Sequence, residues 1–132
     1  MSLGMFAAVA AGGALGAVTR YAVSLGVGAG LFGLQGPLAT LAVNVAGSAI
    51  MGGFAGCVAA GLLVPETVRG FVAVGFLGAL TTFSSFALDA GSLAARQGLS
   101  MSMLYVGLSV GLSLGAFFAI QGLVAGFLAR VP

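Results

Sequence analysis

Apolar residues follow one another in this chain over stretches of about 20 or more, the length a helix needs to cross the hydrocarbon core of a bilayer, and the interruptions fall at glycine, proline and charge. The first stretch runs from about Leu3 to Leu25 and gives way to the glycine-rich GVGAGLFGLQGP, where Gly36 and Pro37 mark a loop and open the next helix. The second runs from about Leu38 to Leu62. VPETVR, Val64 to Arg69, is the most polar connection, with Pro65 and Glu66 suited to a helix start. The third runs from about Gly70 to Ala95, and RQGLS, Arg96 to Ser100, separates it from the fourth, about Met101 to Ala129. Because lipid cannot satisfy exposed backbone groups, spans this poor in polar side chains are helices. The pattern predicts an all-α, integral membrane four-helix bundle, forming one four-span domain over residues 1–132.

The polar positions inside the spans are ordered. Thr40, Asn44 and Ser48 recur every fourth residue in the second span, as do Tyr105, Ser109 and Ser113 in the fourth. That spacing draws a polar stripe along one face of a helix. Such stripes suit a small hydrated solute or ion, although serine and threonine also bond back to their own helix carbonyls. Gly107, Gly111 and Gly115 are offset from the fourth-span stripe by two residues, which is about 200° around the helix. The expected arrangement is one packing face and one hydroxyl face. Gly12 with Gly16, Gly52 with Gly56 and Gly122 with Gly126 repeat the same interval, which lets membrane helices approach closely. That purpose offsets a weakening of roughly 1 kcal/mol per glycine relative to alanine in water.

Composition removes most other classes of function. The chain is 61% hydrophobic and 5% charged, against about a quarter charged in a soluble domain. No lysine, histidine or tryptophan is present, and Cys57 is the single cysteine. No disulfide framework, Cys/His metal centre or nucleophile–base pair can be built from this inventory, so an enzyme is not expected. A net charge of +2 is too small and scattered for a nucleic-acid partner. The N-terminus lacks the basic region of a cleaved signal peptide and is taken as the first span. Asp89 is the one acid within a span and Arg20 the one base within a helical pattern; each suits a structural anchor near a helix end. A four-span topology puts Arg69 and Arg130 on one side and Arg20 and Arg96 on the other. Because an excess of basic residues sets orientation, this balance leaves insertion in either direction open and makes an antiparallel homodimer plausible.

GFLGALTTFSSF, Gly75 to Phe86, crowds hydroxyls and phenyl rings around a glycine-rich turn within the third span. Together with GGALGAVTRY, Gly12 to Tyr21, and TLAVNVAG, Thr40 to Gly47, it resembles the signature segments of the Fluc fluoride channels, also called the CrcB family. The resemblance covers essentially the whole chain. It implies passive, fluoride-selective export across a bacterial inner membrane, through two pores of a dual-topology dimer, protecting the cell against fluoride. It places Asn44, Phe83, Phe86, Tyr105, Ser109 and Ser113 along the pores. It also implies a sodium ion on the dimer axis, held at a break in the third helix by the backbone carbonyls of Gly78 and Thr81. A kink capped by the Thr81 and Thr82 hydroxyls is the alternative for that segment. The partners expected are fluoride, a second copy of the chain and membrane lipid.

Three positions depart from the family pattern: Asp89 stands where glutamate is common, Ser85 where threonine is commoner, and Phe117 where the hydroxyl stripe often continues. The physical reading of Phe83 and Phe86 is compatible with the resemblance, because an aromatic ring has a positive edge that suits an anion; ordinary packing is the other use for them. The rival from another class is a small dual-topology, proton-coupled multidrug exporter. Exporters of that kind need a carboxylate in the first span, and none is present there.

Overall fold

The structure, a computed structural model, describes residues 3–27 and 35–130. Most of GVGAGLFGLQGP, expected as a loop, lies outside the described residues. The described residues form five helices and no strand: α1 (Leu3–Gly26), α2 (Gln35–Ala59), α3 (66–80), α4 (Phe83–Gln97) and α5 (Leu99–Leu128). Together α3 and α4 make the third span, so the described residues hold four stretches of helix long and apolar enough to cross a membrane. Pro37 stands in the first turn of α2, where its missing N–H costs no helical bond.

The spans pair alternately. α1 lies along α3, and α2 lies along α5, with far less contact between the two pairs. Glycine sets both close approaches. A Cβ on Gly12 or Gly16 would run into the carbonyl oxygens of Phe71 and Phe76, and one on Gly52 into the carbonyl of Phe117. One on Gly56 would stand 2.8 Å from the Gln121 carbonyl. Two positions four apart on α1 therefore meet two positions five apart on α3. The mismatch has a cause: Gly70–Leu77 is a π-helix, whose bonds close from i to i+5. Gly75 returns the contact, since a Cβ there would lie 2.6 Å from the Val9 carbonyl. Val43, Leu77 and Leu80 fill the junction between the pairs.

Within the protomer the expectation for α5 is reversed. Cβ atoms on Gly107, Gly111 and Gly115 would meet nothing within 4 Å, and the same holds at Gly122 and Gly126. α5 packs on α2 through the side that bears its hydroxyls, which turns its glycines outward. At the other end α4 and α5 form a hairpin on Gly98, whose φ of 91° suits a residue without a Cβ. The buried Ser102 hydroxyl ties the hairpin by donating to the Ala90 carbonyl at 2.8 Å.

Candidate functional site

The interruption in the third span falls at Thr81 and Thr82, within GFLGALTTFSSF, the stretch in which the family resemblance implies a break. Gly78 itself is helical, whereas Thr81 (φ −82°, ψ 153°) and Thr82 (φ −151°, ψ 123°) are extended. An interrupted helix must find new partners for its freed amides and carbonyls. Asn44 of α2 supplies a pair: its Oδ1 accepts from the Thr82 amide at 2.8 Å, and its Nδ2 donates to the Thr82 carbonyl at 3.1 Å. The threonine hydroxyls cap the two ends. Thr81 Oγ1 donates to the Leu77 carbonyl at 2.9 Å, and Thr82 Oγ1 accepts from the Ser85 amide at 3.2 Å, an N-cap for α4.

This arrangement diverts two amides from their usual acceptors. In an unbroken helix the Thr82 amide would bond the Gly78 carbonyl and the Ser85 amide the Thr81 carbonyl; here they go to Asn44 and to the Thr82 hydroxyl. The carbonyls of Gly78 and Thr81 thus lose their intrahelical donors. Main-chain oxygens freed in this way are of the kind a hard cation takes as ligands.

Beside the break an open groove of about 560 Å³ runs between α2, α5 and the third span, with Asn44, Ser48, Phe83, Phe86, Ser109 and Ser113 on its walls. Phe83 is 79% exposed. Its ring centroid lies 5.4 Å from that of Phe86, which in turn lies 5.5 Å from that of Tyr105. Tyr105 sits behind Phe86 rather than on the groove wall, buried to 7% exposure, and Ser109 is buried to 4%. The Tyr105 hydroxyl neighbours the Ser109, Asp89 and Thr40 side chains, yet neither it nor the Ser109 hydroxyl makes a hydrogen bond within 3.5 Å among the described residues.

The second-span stripe divides. Asn44 and Ser48 face the groove, whereas Thr40 faces a second cleft between α1, α2 and α4 that also holds Arg20, Ser85 and Asp89. There Arg20 Nη1 donates to Ser85 Oγ at 3.5 Å, and Arg20 Nε and Asp89 Oδ2 have no partner among the described residues. Asp89 stands at the N-terminus of α2, where a Cβ on Gly36 would lie 2.9 Å from its Oδ1. A carboxylate is favoured at that end of a helix.

Two features escape sequence reasoning. The bonding of Asn44 to a backbone 38 positions away leaves no local signal, and Ser102 looks like any other hydroxyl until the hairpin is built. An i, i+4 stripe shows that Asn44 faces inward but not what it meets.

Residues 7–123 match the family described as CrcB-like protein, Camphor Resistance (CrcB). The fluoride-specific ion channel FluC of Rhodospirillum centenum is 47% identical over 115 residues, which is 87% of this chain and 90% of that protein. FluC 1 of Nitrobacter hamburgensis is 46% identical over 112 residues, covering 85% and 88% respectively. The fluoride-specific ion channel FluC of Cereibacter sphaeroides strain ATH 2.4.9 is 43% identical over 126 residues, covering 92% and 94%. With a match across nearly all its length, and with relatives this similar, the chain belongs to the CrcB family.

Proposed function

We propose that this chain is a fluoride-selective channel of the bacterial inner membrane, passing fluoride out of the cell passively and so protecting it from fluoride. The observation that carries the reading is the buried Ser109 hydroxyl, without a hydrogen-bond partner among the described residues, on the wall of a groove edged by Phe83 and Phe86. A buried hydroxyl without an acceptor costs about 1–3 kcal/mol. A small anion in transit supplies the acceptor, and the ring edges supply further positive charge. The relatives are named fluoride-specific ion channels, which supports fluoride as the ion. Asn44 spends its amide on Thr82, so its part in the path is to hold the break open, with one N–H left over.

The working unit is an antiparallel homodimer with two pores. Its support is the open groove, the exposure of Phe83 and the even spread of arginines between the two sides. A structural sodium ion belongs at the break, held by the Gly78 and Thr81 carbonyls of both copies; it would supply a charge that the freed oxygens satisfy. The diverted amides support this fit. The deciding experiment is efflux from liposomes that hold only this protein, comparing fluoride with chloride. Fluoride is expected to leave and chloride to stay. Equal passage of both, or fluoride movement only when a proton gradient is applied, refutes the reading.

A further inference from the structure

α5 steps through Tyr105, Ser109 and Ser113 at intervals of four, and the next step in that register is Phe117. Ser109, Ser113 and Phe117 line the same groove, so the phenyl ring stands in the row of hydroxyls and not beside it. Beyond Ser113 the next polar side chain on α5 is Gln121, roughly 12 Å further along the axis at 1.5 Å per residue. The facing part of α2 gives no relief, because after Ser48 it continues Ala49, Ile50, Met51, Gly52, Gly53 and Phe54. Met51 and Leu114 join Phe117 on the groove wall. The backbone beneath the ring is fixed, since the Phe117 carbonyl lies against Gly52 too closely for a Cβ to fit. Phe118 braces the ring edge-on, with centroids 5.2 Å apart and planes at 86°.

We infer that Phe117, with Met51 and Leu114, forms an apolar constriction at the end of the hydroxyl row that limits how fast an anion passes. The inference rests on the groove being a fluoride path. An ion leaving Ser113 gives up its donors before water or Gln121 can replace them, and unpaired charge in apolar surroundings is costly. Hydrophobic constrictions throttle channels in this way. Phe117 is therefore a rate-setting residue of this chain, distinct from the rings at Phe83 and Phe86.

Single-channel fluoride current in planar bilayers tests it, on protein shown by size-exclusion chromatography to keep its native assembly. Phe117→Thr places a hydroxyl at the next step of the row, and the current is expected to rise roughly threefold or more as the barrier falls. Phe117→Ala removes the ring without adding a donor and is expected to raise the current less; it serves if the threonine variant fails to assemble. Phe117→Leu keeps the apolar bulk and should stay at or below the parent current. Phe127→Thr, at an exposed position of α5 that does not line the groove, should leave it unchanged. Assembled Phe117→Thr or Phe117→Ala with a current at or below the parent overturns the inference, because the ring then serves as a ligand or as packing. A parent protein that carries no fluoride current overturns the channel reading itself, and the inference falls with it.

Discussion

Asn44 is the side chain on which the break depends most directly. It replaces two backbone hydrogen bonds with two of its own, on both polar groups of one extended residue. Asn44→Ala leaves the Thr82 amide and carbonyl half-buried without these partners, a loss of about 1–3 kcal/mol for an unpaired group. The expected outcome is a lower unfolding temperature in detergent together with reduced fluoride efflux. Asn44→Asp keeps the acceptor for the Thr82 amide but sets a carboxylate against the Thr82 carbonyl, so it should recover only part of the stability. Unchanged thermal stability in the alanine variant would show that the break holds without this residue. The phenyl pair illustrates a different point. Phe83 and Phe86 stand three apart in the sequence, a spacing that makes them neighbours on one helical face, and they do touch; that Tyr105 backs Phe86 follows only once α4 and α5 fold onto each other.

At the scale of the element, glycine divides into two uses that the sequence spells alike. Gly16 leaves room for a carbonyl of α3, whereas Gly111 opens onto empty space. Gly16→Ala forces a methyl group into the Phe76 backbone, which cannot swing aside as a side chain would. We expect a marked loss of folded protein on purification. Gly111→Ala gains helix propensity of up to about 1 kcal/mol and should be neutral or stabilising within the protomer. If Gly111→Ala instead disperses the assembly, the outward face of α5 is an interface between copies. Span positions were readable because about 20 consecutive apolar residues admit little but a membrane helix. The π-helix was not. Its i to i+5 bonding leaves no periodic mark in an all-apolar segment such as GFVAVGFL, and only the five-residue step between Phe71 and Phe76 against α1 exposes it. The end of α3 was legible as an interruption in GALTT, yet its placement at Thr81 and Thr82 depends on Asn44 from another helix.

For the whole molecule, charge balance governs orientation. Two or three arginines added to the 62–65 connection should bias every chain one way in the membrane. Under the antiparallel proposal, fluoride efflux from cells then disappears and returns when an oppositely biased copy is co-expressed. A one-way population that retains full efflux contradicts that assembly. The alternate pairing of spans has a further consequence, for biosynthesis. The Gly12 and Gly16 face of α1 meets α3, and the Gly52 and Gly56 face of α2 meets α5. A nascent chain that has inserted its first half therefore holds two spans, neither of which yet has its mate. Cutting the chain in the 60–65 connection separates the members of both pairs onto different fragments. Neither fragment has a close partner alone, while together they restore both helix contacts. Fragments 1–62 and 63–132, expressed in the same cell, should accumulate and co-purify, and each expressed alone should be degraded. Fragments that persist separately but fail to associate would show that the glycine contacts form only within a continuous chain.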